Sequence, residues 1–600
     1  MKRFDKIKVR LRQLTFATAR FPLTVAFFVA AMAINTVVIT KGNDRIEIIF
    51  TLMVGALLSA VLQLVYERFF HQKSVRLILM GTAALLTMGY YIINIGAPKS
   101  SPEIGIRTIV TVFALFLSFI LVPTIKSRIS FNESFKISFD SLIIALFFSG
   151  VIFLGLSFIF IAIDKLLVSI DYRLYSYTAN IIYLLFGPLY FLSLIPIYPR
   201  NSNKEKSPFV IEREIEMIKQ AAACPRLVEI LISYIIIPLL AVFTLVLLAY
   251  IMINIGSNFW NDNLLESMLI SYSIGIILIC ILASELENKF AGLFRTIFPK
   301  ILMPIVLLQI ASSVITMSQI GLTLTRYYAI LYGIFAVIAG LILSVMPLWR
   351  NGIIAALLIV FSLISVVPPF DAFSLSRSNQ KNLLEKVLIQ NNMLKNNQIK
   401  PNPVISDHDK QVIIKTVSYL EMMDYTTDLK WLPADFSSYK DFAPTFGFNE
   451  DNLSEHTSQS LRLSLEEQTA IDISEYERFI PTNISIINKQ KEASQEELCK
   501  FIKSGVNYTL IKQTTPNQCT IKLLGKDNEE ILEFKTRATF EGFFQFEPDK
   551  YYISAEEATF SKANKQTKIT VVFQNLNLEK TPTQTLFEAD VYILIRILKP

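Results

Sequence analysis

Residues 352–382 read GIIAALLIVFSLISVVPPFDAFSLSRSNQKN, and the fold turns on a change of chemistry inside them. From Gly352 to Val367 there is no charged side chain. That approaches the roughly 20 apolar residues a helix needs to cross the hydrocarbon core of a bilayer. Pro368-Pro369 closes the run, because proline cannot donate a helical hydrogen bond. Asp371, Arg377 and Lys381 follow. Upstream of this point, long uncharged runs recur; downstream they stop. Residues 1–369 therefore read as a polytopic transmembrane domain and residues 370–600 as a soluble one.

Composition agrees. The 600-residue chain has a mean hydropathy of +0.46, and only 18% of its residues are charged, against about 25% in soluble domains. Residues 1–369 hold 30 Lys and Arg against 18 Asp and Glu, whereas residues 370–600 hold 27 against 32. The basic excess sits beside membrane spans, where orientation rather than nucleic-acid binding explains it.

Eleven spans are expected, at 21–40, 48–66, 76–95, 108–125, 139–163, 176–197, 227–255, 264–284, 301–318, 326–347 and 352–369. Lys and Arg gather in cytoplasmic loops. With the N-terminus inside, the cytoplasmic segments carry 23 basic residues and the outer loops 7. An odd span count then places residues 370–600 outside the cytoplasm. The start could also be read as a cleaved signal peptide ending at Ala31-Met32-Ala33, but the apolar run continues through Ile39 and favours an uncleaved span.

Some features interrupt this pattern. Gly187-Pro188 and Pro238 lie inside spans, where proline bends or breaks a helix; such breaks line substrate sites in some transporters. Segments 208–226 and 285–300 read as amphipathic helices on the inner surface. Polar residues at depth (Asn35, Gln63, Asn94, Asn180, Gln309) read as helix-to-helix hydrogen bonds. The outer-loop acids Asp44, Glu47, Glu103, Asp164, Asp171, Asp262 and Glu266 read mainly as interfacial charges.

In the soluble half, residues 378–394 carry a helical apolar stripe. Ser406 with Asp409, Ser464 with Glu467, and Ser494 with Glu497 resemble helix starts. Residues 432–462 read as a loop. Strand-like runs follow at 508–512, 520–524, 531–535, 568–573 and 591–598, with a turn at Gly525. Helices followed by strands predict an α+β domain, with the runs within 505–535 and 568–598 in one sheet. The fold class is a membrane all-α helical bundle followed by a soluble α+β extracytoplasmic domain. Cys499 and Cys519 are a possible disulfide in that setting, tying a helix to a strand, or two free buried thiols.

No catalytic, cofactor-binding or metal set is legible. His71, His408 and His456 lack His or Cys partners at ligand spacing, and no phosphate loop, dinucleotide fingerprint or nucleophile elbow occurs.

Several stretches carry a resemblance. They are Phe139-Asp-Ser-Leu-Ile-Ile-Ala-Leu146, Leu184-Leu-Phe-Gly-Pro188, Ile230–Tyr250, Arg326-Tyr-Tyr328, Ser374-Leu-Ser-Arg-Ser-Asn-Gln380 and Ile471-Asp-Ile-Ser-Glu-Tyr476. Together they resemble the bacterial polytopic membrane proteins grouped as domain of unknown function 4153, over most of the chain. The resemblance implies an inner-membrane protein and no particular chemistry. The expected role is therefore envelope-related: transport, sensing or assembly, with membrane lipids and other envelope proteins as partners, no nucleic acid and no cofactor. The alternative is a membrane-embedded transferase acting on a lipid-linked donor, for which the first outer loop, 41–47, is short.

Overall fold

The computed structural model describes residues 12–42, 45–98, 101–199, 208–222, 226–254, 263–433, 436–448, 459–466, 469–487, 494–546, 550–580 and 585–598. The chain forms two compact units: 1–400 with 412–441, and 401–411 with 442–600. The first unit thus extends past the Pro368-Pro369 boundary, because the helices that follow it pack back onto membrane helices.

Among the described residues, ten helices are long and apolar enough to cross a membrane. They are α1 (Pro22–Lys41), α2 (Ile46–Phe69), α3 (Lys73–Ile95), α4 (Glu103–Leu121), α5 (Phe131–Leu166), α6 (Arg173–Leu194), α8 (Val228–Asn254), α10 (Lys289–Ile320), α11 (Leu324–Val345) and α12 (Leu348–Val366). Between them lie α7 (Pro208–Ala222) and α9 (Asn263–Leu282). The eleventh expected span is α9, whose apolar stretch Glu266–Leu282 is shorter. It nevertheless lies along more than half of its neighbour α10. Glu266 near its start accepts a hydrogen bond from Ser313 of α10, and Arg295 of α10 donates to the carbonyls of Ala283, Ser284 and Leu286 just beyond its end. Arg295 and Ser313 are 18 residues apart, about 27 Å along a helix.

Two connectors differ from expectation. Residues 285–300 do not form a separate surface helix: Lys289–Ile320 is one 32-residue helix with Pro299 and Pro304 inside it. Helical backbone continues through both prolines, as neighbouring helices allow in membrane proteins. In α7, Ile215 and Ile218 are buried as the amphipathic reading requires, but Val210 is exposed.

The first unit continues with α13 (Ala372–Gln390), a two-residue hairpin β1 (Leu394–Lys395) and β2 (Gln398–Ile399), and the 412–422 part of α14 (Asp407–Met422). The start signal at Ser406 holds: its hydroxyl accepts from the Asp409 amide at 3.1 Å. Residues 438–446, expected as loop, form α15 (Ser438–Phe446).

The second unit is mostly sheet. Its strands are β3 (Gln459–Leu465), β4 (Arg478–Ile487), β5 (Ser494–Lys503), β6 (Val506–Thr515), β7 (Gln518–Leu524), β8 (Glu530–Lys535), β9 (Tyr552–Ile553), β10 (Thr559–Ala563), β11 (Thr567–Lys580) and β12 (Thr585–Ile597). All five strand-like runs are strands, and Gly525 turns β7 into β8. Two start signals fail. Ser464 lies on β3 and Ser494 opens β5; Glu467 lies outside the described residues. The single expected sheet is two: β5-β6-β7-β8, and β4-β12-β11-β3-β9 with β10 beside β11. Their inner faces share one core, with Leu510, Ile521 and Leu523 from one sheet and Ile484, Leu578, Phe587 and Ile593 from the other.

Candidate functional site

The resemblance stretches 326–328 and 374–380, far apart in sequence, meet at one end of the membrane unit. The meeting point is built on Asp371. Its carboxylate caps α13, accepting from the amides of Phe373 and Ser374 (both 2.9 Å) and from the Ser374 hydroxyl (2.7 Å). It also faces the Arg107 guanidinium at 3.5 Å. One turn back on α4, Glu103 holds the same guanidinium at 2.7 Å. The other Glu103 oxygen accepts from the Tyr425 hydroxyl at 2.9 Å. All four side chains are buried. Two carboxylates around one guanidinium leave a formal negative charge in a low-dielectric setting, tolerable only because each oxygen has donors. Arg107 also lies over the Phe373 ring, 4.8 Å to its centroid.

The rest of 374–380 fastens neighbouring chain. Ser376 accepts from the Tyr419 hydroxyl at 2.9 Å. Arg377 pairs with Asp428 and lies over the Tyr425 ring at 4.7 Å. Asn379 accepts from the Leu322 amide (2.7 Å) and Gln380 donates to the Ile320 carbonyl (2.9 Å). The last two hold the turn after α10, where Gly321 sits at φ 76°. A Cβ there would meet Gln380 and Asn379 atoms at 2.7 and 2.9 Å, so both the left-handed backbone and the close approach call for glycine. Burial, and then the neighbouring Glu103 charge, push the Tyr425 phenol above its usual range; burial does the same to Tyr419.

Beside this cluster opens an apolar cavity of about 650 Å³ between α4, α5, α9, α11 and α12. Val110, one turn after Arg107, and Tyr328 line it. Tyr328 sits edge-on to Tyr327, whose hydroxyl donates to the Phe370 carbonyl at 2.8 Å, one residue before Asp371. From Tyr328 and Ser365 the lining runs to Phe135 and Phe131 on α5. It spans 12 residues of α5, Phe131 to Leu142, about 16 Å. Its size falls within the roughly 300–1,000 Å³ of small-molecule sites, but its wall is almost wholly aromatic and aliphatic.

The expected helix breaks resolve into wider turns. Ile182–Phe186 before Gly187-Pro188, and Leu231–Ile236 before Pro238, are π-helical, with i→i+5 bonding, and α-helix resumes after each. The wider turn accommodates a proline ring without ending the helix. Gly187 faces Ser149 of α5: a Cβ there would lie 2.9 Å from its hydroxyl. Neither proline lines the large cavity.

Other sequence candidates have structural partners. Asn180 accepts from Asn35 (2.9 Å) and donates to the Met32 carbonyl; Gln309 donates to the Ala329 carbonyl; Gln63 donates to Glu67. The Asn94 side-chain amide is buried with no hydrogen-bond partner among the described residues. Asp164 and Asp171 cap local turns. Glu47 opens α2; Asp44, Asp262 and His456 lie outside the described residues. Lys136 is a buried charge that the sequence reading leaves outside any span, because α5 begins at Phe131 rather than 139; Asp140, one turn on, is half-buried. Lys136 is buried, and its ammonium has no hydrogen-bond partner among the described residues.

Cys499 and Cys519 are both free. They stand on β5 and β7, not on a helix and a strand, and β6 runs between them. Two strand spacings of about 4.8 Å exceed the roughly 7 Å Cα limit for a disulfide. Burial raises both thiols above their usual range. Among the described residues no His, Cys, Asp or Glu group could hold a metal.

Neither the curated proteins nor the solved structures contain a match to this chain. A family model does match, over residues 24–402, which takes in the whole cavity, Asp371 and the 374–380 stretch but neither Tyr425 nor the sheets of the second unit. The chain belongs to the family described as domain of unknown function 4153.

Proposed function

We propose that this chain is an inner-membrane envelope protein, N-terminus cytoplasmic and second unit periplasmic, whose membrane unit holds a lipid chain for transport or assembly. The observation that carries this reading is the 650 Å³ apolar cavity ending beside the Glu103–Arg107–Asp371 cluster. An apolar slot within the membrane unit suits an acyl or isoprenoid chain, and the polar end suits the head of the same molecule. The 23 to 7 division of basic residues supports the orientation.

The transferase alternative draws less support. A catalytic base needs a carboxylate free to take a proton, and Glu103 and Asp371 are each committed to Arg107 and to hydroxyl or amide donors. The test is native mass spectrometry of protein extracted with its lipids. Ala355→Trp, which fills the slot from α12, should abolish a bound lipid adduct seen in the parent protein. Equal adducts in parent and variant would refute the lipid-slot reading.

A further inference from the structure

The second unit carries a surface that the lipid reading does not use. Where β3, β4, β11 and β12 run together (461–464, 483–486, 575–578 and 587–590), side chains alternate. Leu461, Leu463, Ile484, Ile486, Leu576, Leu578, Phe587 and Ala589 face the core. The intervening residues face outward, as expected for a sheet packed on one side. Strand register aligns those outward residues into rows. One row runs Asn483, Asp590, Asn575, Ser464, Tyr552 across five strands. The next runs Ser485, Glu588, Asn577, Arg462. Over the first row and over Glu588, Asn577 and Arg462 of the second lies a concavity of about 790 Å³.

The first row is already tied together. Ser464 donates to Asn575 at 3.1 Å; Asn575 and Asn483 donate to the two Asp590 oxygens at 3.4 and 3.3 Å. In the second row, Arg462, Asn577 and Glu588 have no side-chain hydrogen bond or ion pair among the described residues. Elsewhere on this unit charges are matched in pairs: Lys500 with Glu497, Lys522 with Glu530, Lys535 with Glu533. Tyr551 and Tyr552 close one end of the concavity and are 61% and 56% exposed. Exposed tyrosine rings gain by being covered.

We infer that this face binds an uncharged oligosaccharide chain, laid across the strands. Sugar hydroxyls both donate and accept. Side-chain amides offer both functions in one plane, and a carboxylate accepts from two hydroxyls at once. The rows repeat these groups at the strand spacing of about 4.8 Å, close to one sugar ring along an extended glycan. The tyrosines supply the apolar faces on which such rings stack. Charge selects against anionic ligands, because the groove holds two carboxylates and one guanidinium. Strand addition by a peptide needs a free sheet edge, whereas this groove lies on the face of paired strands.

The experiment uses the full chain in lipid nanodiscs free of glycoside detergent, which would itself compete. The probes are maltotetraose, cellotetraose and tetra-N-acetylchitotetraose, with an oligogalacturonate as the anionic comparison, read by calorimetry. At least one neutral tetrasaccharide should bind saturably. Asn577→Ala and Tyr552→Ala should each weaken it about tenfold or more, while Lys562→Ala on β10 leaves it unchanged. Unaltered melting temperatures would separate lost contacts from lost fold. Absence of binding by all three neutral probes overturns the inference, as does binding that ignores both variants or a preference for the anionic probe. None of these results bears on the lipid slot, which the adduct measurement tests alone.

Discussion

The carboxylate of Asp371 serves two structures at once, capping α13 and facing Arg107, and the two roles can be separated by substitution. Asparagine caps a helix about as well as aspartate, so Asp371→Asn removes mainly the charge opposite a guanidinium 3.5 Å away. Glu103→Gln removes the closer charge, at 2.7 Å, and disturbs the Tyr425 bond as well. Either change leaves Arg107 one carboxylate, so the guanidinium is not orphaned and the cost is that of a lost charged hydrogen bond, about 1.5–3 kcal/mol for the closer contact. Chemical unfolding in detergent should therefore rank Glu103→Gln as the costlier change, with Asp371→Asn below it and Asp371→Ala, which also loses the cap, above Asp371→Asn. Equal stability of Asp371→Asn and Asp371→Ala would mean that the cap contributes nothing. Tyr425 adds a pH dependence. Burial and the Glu103 charge raise its phenol, so the folded state holds the proton more tightly than the unfolded state. Its contribution is complete below the unfolded pKa of about 10 and is lost as pH rises beyond that value. Tyr425→Phe should lower stability at pH 7, by about 1–3 kcal/mol for the orphaned acceptor, yet flatten the decline above pH 10. A decline as steep as in the parent would assign that slope to other tyrosines. None of this cluster was legible from spacing. Glu103 and Tyr425 are 322 positions apart, and Glu103 read as one interfacial acid among seven.

Helices and strands were far easier to read than what joins them, and the reason is physical. A span or a half-buried strand writes its burial into every turn or every second residue. A cap is a four-residue signal that pairing can override. Ser494-Gln-Glu-Glu497 has the helix-start spacing, but β6 offers it a ladder from Lys503 back to Ser494, and the strand wins. The same logic hid the long α10: 285–300 and 301–318 read as two elements, whereas burial of Pro299, Leu302 and Ile305 carries one helix through the join. The π turns were half legible. Proline marked the place, but the sequence did not say whether the helix would break or widen. The widened turn at 182–186 makes one element-level prediction. It brings Gly187 of α6 against Ser149 of α5, so Gly187→Ala should overpack that contact and cost about 1–3 kcal/mol. Ser149→Ala removes the oxygen at 2.9 Å and leaves the Ser149 Cβ position at 3.9 Å, an ordinary contact. The double variant should recover most of the loss in thermal unfolding. If Gly187→Ala is as damaging with Ser149→Ala as without it, the glycine is needed for backbone freedom rather than for helix approach.

Across the whole molecule, orientation depends on whether α9 crosses. Ten helices pass on length and composition, and an even count would return residues 370–600 to the side of the N-terminus. Two observations favour eleven crossings. Hydrogen bonds at both ends of α9 fix it along about 27 Å of α10, close to the ~30 Å hydrocarbon thickness. Its middle is also built for the interior, since Leu269, Tyr272, Ile276 and Cys280 are buried in the core that α10 and α11 share. With α9 counted, the basic residues divide 23 to 7; without it, loops after α9 exchange sides and the division weakens. A reporter enzyme active only in the periplasm, fused after Pro600, should therefore be active. The same reporter placed between α6 and α7 should be silent, and one placed between α8 and α9 active. The third fusion matters most. Activity there with silence after Pro600 would keep the N-terminus inside but remove one crossing after α8, and would put the oligosaccharide face in the cytoplasm.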